Sequence, residues 1–148
     1  MMDEEDIFVA EGQAAIITPG VYEVMYHSHE TAPLWGGKKL IVHFRITGPI
    51  HVGKMVCRYY NVERFIGKPG PSGKFVPGRG SHFFREYLNL FEPQALRITR
   101  LSMRKFKHTQ LLAEVREVTE GFRGMPLAPA ARYSVINRLL KVLEDEHL

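Results

Sequence analysis

At 148 residues, with 45% hydrophobic and 24% charged positions, the chain has the length and composition of one globular domain and not of a disordered protein. No apolar run approaches the ~20 residues of a membrane-spanning helix, and the acidic opening MMDEEDIFVAEGQ is not a secretory signal. A cytoplasmic protein without membrane association is therefore expected, and the single cysteine, Cys57, suits a reducing compartment.

The net charge of +4 conceals an asymmetry. Residues 1–30 contain seven acids and no Lys or Arg, whereas residues 38–108 contain fifteen basic residues against only Glu63, Glu86 and Glu92. Residues 109–148 are close to balance. Charge concentrated in this way suits a polyanion, whose counterions are released on binding, but also suits a merely solvated basic surface. The division expected is an acidic N-terminal segment, 1–15, followed by one domain, 16–146.

Pro19 and Gly20 introduce a first strand over residues 21–29, with Tyr22, Val24 and Tyr26 on one face. Residues 31–37, TAPLWGG, read as a loop carrying the only tryptophan, Trp35. Residues 39–47 alternate as a second strand, Leu40, Val42, Phe44 and Ile46 against Lys39, Ile41, His43 and Arg45. Gly48 and Pro49 turn the chain into a third strand over 54–62. Residues 67–80, GKPGPSGKFVPGRG, are too rich in Gly and Pro for regular structure and read as a long, basic, exposed loop. Ser81 is positioned to cap a helix ending at Phe91, with Phe83, Phe84, Tyr87, Leu88 and Phe91 as its apolar stripe and Pro93 as its stop. A fourth strand follows over 111–118 and a loop over 121–129. Residues 133–136 read as a short strand running into a C-terminal helix, because Val135, Ile136, Leu139, Leu140 and Leu143 fit a helical stripe.

Catalytic chemistry finds little support. The loop GKPGPSGKF has five residues, not four, between Gly67 and Gly73, and Phe75 follows Lys74 where a phosphate-binding loop needs Ser or Thr. His27 and His29 share a strand face but lack a second ligand pair at zinc spacing. Cys57 reads as a buried structural thiol, and no Ser/His/Asp set has a supporting context. The expectation is a non-enzyme with no cofactor and no metal.

The remaining feature is the second and third strands. If Leu40, Val42, Phe44, Ile46, Met55, Cys57 and Tyr59 point inward, then His43, Arg45, Arg58 and Tyr60 gather on the outer face, since paired strands lie ~4.8 Å apart. Trp35 on the preceding loop, and Phe75 with Lys74 and Arg79 on the following one, would extend that patch. Aromatic rings that stack bases, among cations that track phosphates, are what an unpaired nucleic-acid strand requires. The candidates are Trp35 and Tyr60 for stacking, with Phe75 and His43 beside them, and Lys39, Arg45, Lys54, Arg58, Lys68, Lys74 and Arg79 for phosphate.

The run from PGVYEV through WGGKKLIVHFRITGPIHVGKMVCRYYNV resembles the single-stranded-DNA-binding proteins of phage and mobile-element replication modules. The matching elements are Gly20 and Tyr22; Gly37, Lys38 and Leu40; Phe44 and Ile46; Gly48 and Pro49; Gly53 and Lys54; and Tyr60, Asn61 and Val62. The resemblance covers about residues 18–62. It implies a mainly β, α+β chain folded as a five-stranded OB-type barrel, with the 81–91 helix between strands three and four and a C-terminal helix. It implies low-specificity binding of single-stranded DNA in replication or recombination, with proteins of those processes as further partners. The terminal EDEHL resembles a partner-recruiting tail, although it also reads as a fraying helix end. A protein-interaction module and an RNA or duplex binder are the alternatives, and oligomeric state stays open.

Overall fold

The computed structural model describes residues 16–95 and 100–143, so the acidic segment 1–15 and the terminal EDEHL lie outside the described residues. In chain order the elements are β1 (Gly20–Leu34), β2 (Gly37–Gly48), β3 (Met55–Asn61), β4 (Arg64–Ile66), β5 (Lys74–Val76), α1 (His82–Phe91), β6 (Gln110–Val118) and β7 (Tyr133–Val142). Five strands form one antiparallel sheet in the order β3-β2-β1-β6-β7, and β4 pairs with β5 in a small separate hairpin. The fold is mainly β with one α-helix among the described residues.

Alternation along the strands builds the core. Tyr22 and Val24 of β1, Leu40, Val42, Phe44 and Ile46 of β2, and Leu111, Ala113 and Val115 of β6 all turn to one side and are buried. The helix closes that side. Ser81 accepts a hydrogen bond from the Phe84 amide (3.1 Å), and Phe83, Tyr87 and Leu90 bury one stripe. Between them lies Phe106, in an edge-on contact with Phe91 (4.9 Å between centroids) and in ring contact with Phe44, Phe83 and Tyr87.

The two edge strands, β3 and β7, approach each other without a hydrogen-bonded ladder. A carboxylate from the helix joins them. Glu86 Oε1 accepts from the Leu139 amide of β7 (2.7 Å), the Tyr60 hydroxyl of β3 (3.2 Å) and Arg58 Nε (3.3 Å), while Oε2 pairs with Arg58 Nη2. The Arg58 guanidinium also lies 4.4 Å from the Tyr60 ring centroid. Burial by itself would lower the Arg58 pKa, but Glu86 and Tyr60 outweigh it and hold it above its ordinary value. Burial, then the Glu86 charge, lifts Tyr60 well above the usual phenol range, so its hydroxyl remains a donor.

Three expectations are corrected. The segment expected as a loop, 31–37, is mostly strand: β1 runs to Leu34, and only Trp35 and Gly36, with φ of 51° and 74°, make the turn. Positive φ at both central residues is what a two-residue primed hairpin turn demands, and it matches the twist of the strands it joins. The glycine-rich 67–80 segment is not free of regular structure. It contains β5, and its 70–73 turn docks on the β1 edge that β6 leaves uncovered: Thr31 N donates to Gly70 O (3.0 Å) and Ser72 N to His29 O (2.9 Å). A Cβ on Gly73 would meet Thr31 Oγ1 at 2.0 Å, so only glycine fits.

The C-terminal helix expected from Val135, Ile136, Leu139, Leu140 and Leu143 is instead the strand β7. Register shifts against β6 fall between Leu112 and Ala113 and between Glu114 and Val115, leaving Asn137 and Leu140 without facing partners. Each bulge turns a two-residue repeat into three, so Ile136, Leu139 and Val142 all reach the core at a spacing that mimics a helix.

Glu86→Ala should lower stability by about 3–5 kcal/mol, because Arg58 is left as a buried unpaired charge; urea denaturation followed by circular dichroism measures it. Gly73→Ala should cost about 1–3 kcal/mol by overpacking against Thr31, read from the same transition.

Candidate nucleic-acid interface

The outer face of β1, β2 and β3 follows from register. Lys39 stands opposite Asn61, Ile41 opposite Tyr59, His43 opposite Cys57 and Arg45 opposite Met55. On the other side of β2, Ile41 faces Glu30 and Arg45 faces Met25. The β2 half of the sequence reading holds: Lys39, His43 and Arg45 share the face away from the core. The β3 half is reversed. Met55, Cys57 and Tyr59 look outward, while Val56, Arg58 and Tyr60 look inward.

Tyr60 and Arg58, expected on the binding face, are therefore core residues, 2% and 9% exposed. Tyr60 packs edge-on against Phe83 (5.1 Å). A shift of one residue in a strand exchanges its two faces. Both phases of VCRYYN carry apolar residues, and the inward arginine is tolerable only because Glu86, 28 residues downstream, neutralises it.

At the centre of the outer face His43 bridges two strands. Its Nδ1 lies 3.1 Å from Cys57 Sγ and its Nε2 lies 3.1 Å from Glu30 Oε1. Since a carboxylate only accepts, the consistent assignment has Nε2–H donating to Glu30 and the thiol donating to Nδ1. Burial pushes the Cys57 thiol up to about 11; a Tyr59 hydrogen bond opposes this and the Glu30 charge adds to it. The thiol stays protonated at neutral pH, so the trio is a cross-strand polar ladder and lacks the thiolate of a nucleophile. No group of three metal-ligating side chains occurs among the described residues.

The aromatic character of the face comes from Trp35, which sequence reading named, joined by Tyr59 and Tyr133, which it passed over. Trp35, 65% exposed on the β1–β2 turn, packs against Tyr59 with centroids 5.1 Å apart. Together with Arg116, Tyr133 and Val135 they line a small cleft of about 150 Å³, which Arg58 also reaches although its guanidinium is paired with Glu86. Arg116 and Tyr133 arrive from the two ends of the loop joining β6 to β7, where Val118 faces Tyr133 and Arg116 faces Val135. Burial, then proximity to Cys57, raises the Tyr59 pKa, so its ring carries a neutral hydroxyl. The only local signal for Tyr59 was its adjacency to Tyr60, and nothing local pointed to Tyr133 or Arg116.

The other expected residues divide by location. Lys54 is exposed at the foot of β3, and Lys39 hydrogen-bonds Asn61 at the far end of the same strand pair. Arg45 and Arg116 are exposed, and neither joins an ion pair among the described residues. Lys68 is exposed on the loop after β4. Lys74, Phe75 and Arg79 line a separate cavity beside α1, where Phe75 meets Phe83 edge-on (5.3 Å). His27 and His29 do not act together: the strand bulges between Tyr26 and Ser28, leaving His27 exposed while His29 Nδ1 bonds the Tyr26 hydroxyl (2.7 Å).

Compared with family models, curated proteins and solved structures, the chain finds no match.

With its thiol at about 11 and not 9.0, Cys57 should react with a thiol-specific disulfide reagent at pH 8 roughly a hundredfold more slowly than an unperturbed thiol. Because the folded value is the higher one, the stability linked to this group is full below about pH 9 and is lost as pH rises towards 11. Stopped-flow labelling and denaturation across that range, each compared with Cys57→Ser, test both statements.

Proposed function

We propose that the protein binds single-stranded DNA with little sequence preference. The carrying observation is the exposed Trp35–Tyr59 ring pair, flanked by Tyr133 and Arg116 and continuous with the outer face that bears His43 and Arg45. Rings set beside unpaired cations suit stacked bases and tracked phosphates, a mode that tolerates any base because every base has a π-face. Lys39 and Lys54 extend the positive charge along the strands.

The architecture supports this reading. We take the sheet order β3-β2-β1-β6-β7, with α1 spanning the open edges, as an OB-type barrel held shut at β3 and β7 through Glu86. In such barrels the ligand face lies on the second and third strands between two loops, and on this reading the β1–β2 turn and the β6–β7 loop would be their counterparts. A place in phage or mobile-element replication or recombination, with the proteins of those processes as partners, rests on the resemblance of residues 18–62 alone. A protein-interaction role is the second reading, favoured by Ile50 and Val52 at the β2–β3 tip, 55% and 66% exposed.

Fluorescence anisotropy with a thymidine oligomer across a salt series tests the proposal. Log affinity should fall linearly with log salt, by ~0.7 per phosphate contact. Trp35→Ala and Tyr59→Ala should each cost about 1–3 kcal/mol with little change in slope, and Arg45→Ala or Arg116→Ala should lower the slope by about 0.7. Absence of retention at low salt, or full affinity in Trp35→Ala, would overturn it. Competition with RNA and duplex DNA decides among the polymers.

A further inference from the structure

A second cavity lies away from the Trp35 face, between the β4–β5 hairpin, the first turn of α1 and residues 101–103. Its volume is about 630 Å³, within the range of small-molecule sites of about 300–1,000 Å³. Its lining is largely apolar, with Phe75, Phe83, Phe84, Leu101 and Met103 among its residues. The back wall is the 70–73 turn, pinned to β1 by the Thr31–Gly70 contacts and by the fit of Gly73 against Thr31. Lys74 and Arg79 border it, exposed and without an ion-pair partner among the described residues. No acidic side chain among the described residues lines it. His29, also on its lining, is already bonded to Tyr26, and burial lowers its pKa, so it presents a neutral edge.

An apolar slot bordered by two uncompensated cations favours a flat aromatic body carrying an anionic group. We propose that this cavity is a mononucleotide site: the base enters among Phe75, Phe83, Phe84, Leu101 and Met103, and the phosphate meets Lys74 and Arg79. Base–aromatic contact and charge-assisted hydrogen bonds to phosphate are the two interactions these side chains supply. The 70–73 turn cannot swing away without breaking its bonds to β1, so that part of the lining is held in place. The site deepens the single-strand reading but stands on separate residues, and the nucleotide could be one unit of a bound strand or a free one.

The test is a titration of the isotopically labelled full chain with thymidine 5′-monophosphate, followed by amide NMR. Signals of Gly73, Lys74, Val76 and Ser102 should move with a millimolar or tighter dissociation constant, and thymidine lacking the phosphate should bind roughly tenfold more weakly. The double substitution Lys74→Glu and Arg79→Glu, at two exposed positions, should abolish the shifts while leaving the urea midpoint in place. Still signals, or shifts that persist in that variant, overturn the site. A thymidine oligomer supplies the arm on source: shifts of the same amides assign the nucleotide to the strand, and shifts with the monophosphate alone assign it to a free nucleotide, each keeping the site. The Trp35 indole signal separates the two proposals. Movement there with an oligomer, while the cavity amides ignore both probes, removes the cavity and keeps strand binding. Cavity shifts with a silent indole and no oligomer retention do the reverse.

Discussion

One carboxylate holds the two open edges of the sheet together. Glu86 accepts from β7 through the Leu139 amide and from β3 through Tyr60 and Arg58, so a single side chain of α1 stands in for the ladder that β3 and β7 do not form. Such a contact tolerates no partial version. With every donor satisfied, the buried charge is neutralised and the strands are held in place; with one partner missing, an unsolvated charge or amide remains. The helix is thereby fixed in rotation as well as position, since the stripe of Phe83, Tyr87 and Leu90 and the Glu86 carboxylate must both face the sheet.

This contact also decides which surface is left for binding. Once Arg58 and Tyr60 turn inward to meet Glu86, strand alternation sends Met55, Cys57 and Tyr59 outward, and Tyr59 becomes the ring that meets Trp35. The positive charge of the middle block is correspondingly divided. Arg58 is consumed in the core, Lys39 and Arg45 stay on the outer face, and Lys74 and Arg79 collect around the cavity beside α1. The basic composition thus supplies two separate surfaces in place of the one continuous patch that linear reading predicted.

Irregularities of the backbone do much of the placing. The bulge near His27 parts the two histidines, leaving His27 exposed and His29 bonded to Tyr26, and the two bulges of β7 bring Ile136, Leu139 and Val142 to one side. The Trp35–Gly36 turn lifts the indole clear of the sheet at the end where Tyr133 arrives. The Gly73 contact binds a segment of loop composition to the edge of β1, giving the second cavity a rigid wall.

Sequence by itself determined the elements whose evidence is local. The alternation of β2 settled its inward and outward sets, because every second residue from Leu40 to Ile46 is apolar, and the capped stripe from Ser81 to Phe91 settled the helix. The concentration of charge in residues 38–108 was equally visible. Tertiary structure alone decided the phase of β3, the strand identity of residues 133–142 and the assembly of Trp35, Tyr59, Arg116 and Tyr133. In each case the physical cause lies far along the chain. A buried arginine faces inward only where a distant glutamate neutralises it, a bulge exists only relative to a partner strand, and rings from three segments become neighbours only after the sheet curls round its core.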